Sequence, residues 1–176
     1  MSKKYSGKTL IVIDMQNDFI YGSLANEEAQ KIIPNVKKKI KEYRDNNYRI
    51  IFTKDCHSKF SYPDTLEGHS IPEHCIANTW GYDIVDGLYA PGDDVLVKSS
   101  FGTVDWDIYD LSDVEIIGVC TDICVISNAF VIKALIDTYC PGNHPVTIDS
   151  SCCAGTTIEN HNKALDVLKT CQFNII

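Results

Sequence analysis

Residues Thr9–Ile13 read TLIVI and residues Val114–Val119 read VEIIGV. Both runs are short, nearly continuous in apolar residues and rich in β-branched side chains, which is typical of strands buried on both faces of a parallel sheet. Similar but weaker patterns predict three further strands and a C-terminal edge strand: Tyr48–Thr53, Val95–Lys98, Pro145–Ile148 and Gln172–Ile176.

Amphipathic segments separate these strands. Asn26–Asn47 carries apolar residues at helical spacing, and we expect a break or restart at Pro34 because proline has no amide proton to donate. Strands that alternate with helices predict an α/β fold, a three-layer α/β/α sandwich around a mostly parallel six-stranded sheet of Rossmann-like type. Further helices are predicted over the later connections: Asp107–Leu111, Asp122–Thr138 and Thr156–Thr170.

Composition narrows the class of protein. The 176 residues predict one domain, 1–176, with an ordinary hydrophobic fraction of 44%. With 16 basic and 24 acidic side chains the net charge is −8, which disfavours binding to nucleic acid or to anionic lipid. No apolar run is long enough to predict a membrane span.

The N-terminus and the cysteines indicate the cellular compartment. Met1–Lys8 is polar and basic, and no signal-type apolar stretch follows it, so we expect a cytoplasmic protein. None of the eight cysteines forms a C-x-x-C pair, and a chain of this length needs no disulfides. We therefore expect most of them to be buried, reduced thiols.

Chemically capable side chains follow the predicted strands at their carboxyl ends. Asp14 comes directly after the first strand, and Asp55 and His57 follow the second. Lys98 ends the third strand, and Cys124 lies just after the fourth. Because ligands of open α/β sheets bind outside the carboxyl ends of the strands, these side chains are predicted to share one rim.

Cys124 is the candidate nucleophile. Its place near a predicted helix N-terminus favours a thiolate, and free amides there could hold an oxyanion. Asp14 could take the thiol proton and return it to a leaving amine, with Lys98 holding the carboxylate in place. The plainer alternatives are a buried cysteine, a turn aspartate and a solvated lysine.

A metal site is the second candidate. Asp55 and His57 lie two residues apart on an extended segment, which can place both side chains on one face. Carboxylate and imidazole groups suit Zn²⁺, Fe²⁺ or Mn²⁺, although structural histidines would give the same pattern. The long irregular segment 54–93 offers further ligands, namely Glu67, His69 and His74, whereas His144 and His161 are expected at the surface.

These residues lie within motifs of a known family. The chain resembles the cysteine hydrolases of the isochorismatase-like superfamily, and among them the nicotinamidases. The D-x-Q-N-D-F and G-V-x-T-D-x-C-V motifs are specific in combination. The matching stretches are Leu10–Leu24 (LIVIDMQNDFIYGSL), Thr53–His57 (TKDCH), Pro72–Cys75 (PEHC), Val97–Lys98, Gly118–Val125 (GVCTDICV) and Asp149–Gly155 (DSSCCAG).

The resemblance implies roles for the residues that carry the motifs. Asp14, Lys98 and Cys124 would form the catalytic trio. The amides of Cys120 and Cys124 would form an oxyanion hole beside a cis peptide bond between Val119 and Cys120. Phe19 would form a wall of the substrate pocket.

The resemblance also implies one divalent metal ion, most simply Zn²⁺, with Fe²⁺ and Mn²⁺ as alternatives. Asp55, His57 and His74 match the family's ligands. Glu67 fits the spacing of a fourth ligand in some members, and His69 is the fallback.

One position departs from the pattern. Many nicotinamidases carry a tryptophan shortly before the last metal histidine, where this chain has Ile71. A substrate ring would then rest on an aliphatic side chain, which bears on the substrate more than on the reaction.

The predicted function is an amidohydrolase that converts nicotinamide to nicotinate and ammonia through a cysteine thioester, with a place in NAD salvage. The alternative within the family is a hydrolase of another small amide or ureido compound. An isochorismatase proper, a receiver or phosphatase domain, and a redox-sensing module are weaker alternatives. The expected partner is a small-molecule amide, and the sequence leaves open whether the chain forms a homo-oligomer.

Overall fold

A computed structural model describes residues 7–109, 111–140, 142 and 144–176. Most of the polar and basic segment Met1–Lys8 therefore lies outside the described residues. The six strands, in the order β3-β2-β1-β4-β5-β6, pair in parallel throughout, so the α/β prediction is confirmed. The strands are β1 (Thr9–Ile13), β2 (Arg49–Asp55), β3 (Asp94–Lys98), β4 (Val114–Val119), β5 (Val146–Ala154) and β6 (Asn174–Ile175).

The α-helices lie on both faces of this sheet. The long helix between β1 and β2 belongs to a connection that leads to the strand on one side of β1. The helices after β4 and β5 belong to connections that lead in the opposite direction across the sheet. Because parallel crossovers are right-handed, the two groups cover opposite faces and form the three layers. The helices are α1 (Asn17–Ile20), α2 (Glu27–Asp45), α3 (Ile126–Tyr139) and α4 (Ile158–Thr170).

The strand order creates a crevice at the centre of the sheet. The chain leaves β1 toward β2 and leaves β4 toward β5, in opposite directions, although β1 and β4 are neighbours. Ligand sites of doubly wound folds form at such a switch point, outside the carboxyl ends of the strands. The five residues of β1 are all buried, so the strand next to the crevice is held by packing on both faces of the sheet.

Two helix predictions were wrong. Helix α2 runs through Pro34 without a break. The ring is exposed, so the carbonyl left without an amide partner can face water, while buried Ile33 and Val36 keep the helix packed on both sides of it. The helix predicted over Asp107–Leu111 is instead a 3-10 turn at Asp105–Ile108, and residue 110 lies outside the described residues.

Two other elements differ in extent. Strand β5 runs to Ala154, well beyond the predicted end at Ile148, with a shift of register against β4 between Ile116 and Gly118. The segment after β4 begins as a π-helical turn, Thr121–Val125, before it continues as α3. The short helix α1 was not predicted, and the other strands and helices agree with the predictions to within a few residues.

Within the described part of the chain, no helix combines the length and the apolar composition that a membrane crossing requires.

Candidate active site

The end of β1 places a buried carboxylate beside a buried ammonium. Asp14 has no exposed surface and a left-handed backbone, with φ of 47°. Its Oδ2 lies 2.6 Å from Nζ of Lys98, which comes from the last position of β3. Thr53 of β2 accepts a hydrogen bond from the Asp14 amide at 3.0 Å and donates its hydroxyl to Oδ1 at 2.5 Å. Three neighbouring strands therefore fix this carboxylate.

The carboxyl end of β4 carries the cysteine. Gly118 has φ of 121°, and a Cβ there would lie 2.1 Å from the carbonyl oxygen of Ile13, so only glycine allows β4 this approach to β1. The peptide bond between Val119 and Cys120 is cis, as the resemblance implied. Cys124 follows in the π-helical turn, with its Sγ 3.7 Å from Nζ of Lys98. Lys98 thus contacts both the carboxylate and the thiol.

Burial and neighbouring charges together set the pKa values of this trio. Burial raises the pKa of the Cys124 thiol, and the negative charge of Asp14 raises it further, which outweighs the lowering by Lys98. Burial also raises the pKa of Asp14 despite the nearby ammonium. Burial alone would lower the pKa of Lys98, but the charges of Asp14 and Cys124 raise it. Burial thus favours the protonated thiol of Cys124, against the thiolate that its place near a helix N-terminus favours.

The predicted metal ligands come together at the end of β2. One ligand atom from each of Asp55, His57, Glu67 and His74 lies within 4.8 Å of all the others. Oδ2 of Asp55 is 2.9 Å from Nε2 of His57 and 3.2 Å from Nε2 of His74. Oε1 of Glu67 is 3.4 Å from Nε2 of His74. Two imidazole nitrogens and two carboxylates are a donor set that suits Zn²⁺, Fe²⁺ or Mn²⁺.

Neighbouring groups orient these side chains as a metal site requires. Nδ1 of His74 lies 2.9 Å from the carbonyl oxygen of Pro72, which places its proton there and leaves the lone pair of Nε2 facing the cluster. The buried Gln16 amide accepts a hydrogen bond from the backbone of Asp55 at 2.7 Å and donates one to its carbonyl at 2.9 Å. The residues present therefore fit a divalent cation.

The other histidines differ in their placement. His69 is exposed and is not part of the ligand cluster, so Glu67 occupies the position that the sequence left open between the two. His161 and His144 are half-buried rather than at the surface. Nδ1 of His161 lies 2.8 Å from Oγ1 of Thr121, and Nδ1 of His144 lies 2.8 Å from the carbonyl oxygen of Ser112.

A cavity of about 600 Å³ connects the cysteine with the ligand cluster. Cys120 and Cys124 line one part of it, and three of the candidate metal ligands line another. The two residues expected to contact substrate, Phe19 and Ile71, both lie in its wall, and the ring of Phe19 packs 5.4 Å from that of His74. The rest of the wall is mainly apolar, with Leu24, Pro72, Phe101 and Ile123 among its residues.

Sequence reasoning gave no role to several residues that hold the site together. Thr53 and Gln16 are fully buried polar residues whose hydrogen bonds fix Asp14 and Asp55. Oδ2 of Asp18 accepts a hydrogen bond of 2.7 Å from the amide of Cys75, next to His74. All three lie within the family motifs of this sequence, and that position was the only feature of the sequence that could have indicated a role for them.

Comparison with known proteins agrees with the resemblance found in the sequence motifs. The family model described as "Isochorismatase domain" matches residues 8–176. The nicotinamidase of Schizosaccharomyces pombe is 27% identical over 213 aligned residues, which cover 95% of this chain and 91% of that protein.

Solved structures with a similar fold include a pyrazinamidase from Pyrococcus horikoshii in complex with zinc. It superposes with a TM-score of 0.82 at 26% identity and covers 96% of this chain and 98% of that one. The pyrazinamidase/nicotinamidase of Streptococcus mutans gives a TM-score of 0.82 at 25% identity, with coverage of 97% and 100%.

Proposed function

Because the chain belongs to the isochorismatase family, we propose that this hydrolase is an amidase that releases ammonia from nicotinamide. One observation carries the proposal: a single cavity is lined both by Cys124 and by the candidate metal ligands Asp55, Glu67 and His74. A small ring with a carboxamide at one side and a ring nitrogen at another has a partner for each group. The similarity to nicotinamidases and pyrazinamidases supports the same substrate class.

The first half-reaction uses Asp14 and Cys124. Asp14 takes the thiol proton as Sγ attacks the carboxamide carbon, and a base is needed there because burial raises the pKa of the thiol. The amides of Cys120 and Cys124 are proposed to hold the oxyanion. Asp14 then gives its proton to the nitrogen, and the C–N bond breaks to release ammonia and leave a thioester.

In hydrolysis of the thioester, water replaces Cys124 as the nucleophile and sulfur becomes the leaving group. Asp14 takes a proton from water as the water oxygen attacks the thioester carbon, and the C–S bond breaks to release nicotinic acid, which loses its proton to solvent to give nicotinate. The proton returns from Asp14 to Sγ, which restores the starting state. Lys98 contacts both groups throughout and keeps its charge, because the neighbouring anions raise its pKa.

The metal would be held by Asp55, His57, Glu67 and His74, and its chemistry would be that of a Lewis acid that binds the pyridine nitrogen and orients the ring. Burial acts to raise the pKa of Asp55, but hydrogen bonds with His57 and His74 lower it, so this carboxylate is an anion. Phe19 and Ile71 would contact the faces of the ring. The predicted cytoplasmic location and the place in NAD salvage belong to the same proposal.

The test is ammonia release from nicotinamide by the metal-loaded protein. We expect turnover that falls more than about 1,000-fold in Cys124→Ala, as for removal of a catalytic nucleophile. Cys171→Ala, a cysteine at the end of α4 and away from the cavity, is the matched control and should keep full activity. Retained activity in Cys124→Ala would contradict the mechanism. Absent turnover with metal bound would move the search to other small amides and ureido compounds.

A further inference from the structure

A hydrogen bond ties α4 to the turn that carries the nucleophile. Nδ1 of His161, in the first turns of α4, lies 2.8 Å from Oγ1 of Thr121. Thr121 is fully buried, follows Cys120 directly and begins the π-helical turn that contains Cys124. Neither His161 nor Thr121 lines the cavity, so any effect on the reaction has to pass through the backbone of the turn.

The contact is part of a close packing between the two elements. A Cβ on Gly155 would lie 2.8 Å from the Cβ of His161 and 2.8 Å from Oδ1 of Asp122, so glycine is what allows α4 to approach. Asp122 also accepts hydrogen bonds from the amide and hydroxyl of Thr156, at 2.8 and 2.5 Å. Two successive residues of the turn are therefore fastened to the start of α4.

Hydrogen bonds to a single carbonyl close the turn. The carbonyl oxygen of Cys120 accepts hydrogen bonds from the amides of Ile123 and Val125, at 3.0 and 3.1 Å. A rotation of Thr121 would therefore displace the amides of Cys120 and Cys124 together with the thiol. Displacements of about 1 Å in a reacting group can cost about 100-fold in rate.

We propose that His161 is a positioning residue that fixes the nucleophile turn through the hydroxyl of Thr121. The inference rests on the proposed function in taking Cys124 as the nucleophile. The contact restrains the groups that act on the tetrahedral intermediate, whereas Phe19 and Ile71, the residues proposed to contact the ring, lie on other segments of the chain. Its loss should therefore lower kcat and leave KM nearly unchanged, which is the pattern of an interaction made in the transition state.

Three variants test the contact. His161→Leu removes the ring nitrogens, Thr121→Val removes the hydroxyl at nearly constant shape, and His161→Asn keeps a polar atom near the position of Nδ1. We expect about a 10- to 100-fold fall in kcat for the first two, with KM within about twofold, and a much smaller fall for His161→Asn. The matched control is His144→Leu, which loses a similar bond to the carbonyl oxygen of Ser112 and should keep its kcat.

The double variant decides whether His161 acts through Thr121. If it does, His161→Leu with Thr121→Val should be no slower than the slower single variant, because both remove the same contact. Multiplied effects would overturn the proposal, as would an unchanged kcat in His161→Leu or equal losses for the leucine and asparagine variants. Urea unfolding of each protein ensures that only folded enzyme is compared, and Thr121→Val tests the contact if His161→Leu does not fold.

A second measurement separates this inference from the identity of the substrate. The rate of alkylation of Cys124 by iodoacetamide, followed by mass spectrometry, needs no turnover, and Cys171 in the same molecule is the internal reference. We expect the rate of alkylation of Cys124 to change at least about tenfold in His161→Leu, because the turn sets both the burial of Cys124 and its distance from Lys98, and to change little in His161→Asn. A wild-type protein that does not hydrolyse nicotinamide would refute the proposed function, while equal alkylation rates across the series would refute the role of His161.

Discussion

At the scale of single residues, the proton affinity of Asp14 is set by opposing neighbours. Burial raises the pKa of its carboxyl, the Lys98 ammonium lowers it, and the charge of Asp55 raises it again, with a net increase. The hydroxyl of Thr53 lowers the pKa as well, because it donates a hydrogen bond to the charged form. Asp14 is thus a stronger base than an exposed aspartate, and Thr53 limits that effect.

Removing the Thr53 hydroxyl should change the pH dependence of the reaction. In Thr53→Val the pKa of Asp14 rises, so the carboxylate becomes available as a base only at higher pH. The acidic limb of the kcat/KM profile should move to higher pH, with about fivefold lower kcat/KM on that limb, as for the loss of a hydrogen bond of about 1 kcal/mol. Steady-state kinetics across pH 4–9 measure it, with Thr170→Val at an exposed helix end as control. A limb that moves to lower pH would contradict the assignment of Asp14 as the base.

The sequence could predict which reactive side chains lie close together, but it predicted less about the contacts that hold them in place. Asp14, Lys98 and Cys124 follow strand ends, and parallel strands deliver their ends to one rim, so their proximity follows from order alone. The contact between His161 and Thr121 depends on the packing angle of α4, which no periodicity specifies. The sequence places Cys124 near a helix N-terminus, which favours a thiolate, but it does not show the depth of burial, which favours the thiol.

At the scale of elements, Pro34 shows that tertiary packing can override a local preference. The proline removes one helical hydrogen bond inside α2, yet buried residues on either side hold the helix against the sheet. The local cost remains, and packing against the sheet outweighs it.

Replacing this proline should therefore stabilise the protein. We expect Pro34→Ala to raise the free energy of unfolding by about 1–3 kcal/mol, since the alanine amide can donate along the helix and the ring no longer crowds the preceding turn. Urea denaturation at pH 7 measures the change. Lys38→Ala, also exposed on α2, should alter stability by less than about 0.5 kcal/mol. A lower stability of Pro34→Ala would show that the rigid ring matters more in the unfolded chain.

The length of β5 was underestimated for a related reason. Asp149 and the serines after it interrupt the apolar pattern, so a strand end was predicted before them. In the structure Oδ2 of Asp149 lies 3.0 Å from Nζ of Lys39, which reaches it from α2 and also contacts Glu115 at 2.6 Å. Charges from another element thus allow a carboxylate inside a strand, and only the assembled fold shows them.

At the scale of the whole molecule, the metal cluster joins distant parts of the chain. Asp55 ends β2, whereas His57, Glu67 and His74 come from the irregular segment that leads toward β3. A cation held by all four would bind the folded chain and not the unfolded one. Metal loading should therefore contribute to stability as well as to activity.

This contribution can be measured without substrate. With Zn²⁺ at about 1,000 times its Kd, binding should stabilise the fold by about 4 kcal/mol and raise the thermal midpoint by about 8–16 °C, and a chelator should reverse the shift. His74→Gln should lose most of the shift. His69→Gln, at the exposed neighbour outside the cluster, should keep it. Equal losses in both variants would contradict the assigned ligand set.

The strand order also divides the chemistry between two halves of one chain. The half that builds β1 to β3 contributes the base, the ammonium and all four candidate ligands, while the half that builds β4 to β6 contributes the sulfur and its neighbouring amides. The two sets of reactive groups meet along the seam, the line of pairing between β1 and β4. Neither half alone holds a complete set of reactive groups. Enzymatic turnover therefore requires that β1 and β4 pair, and turnover by two separately expressed halves would report on their assembly.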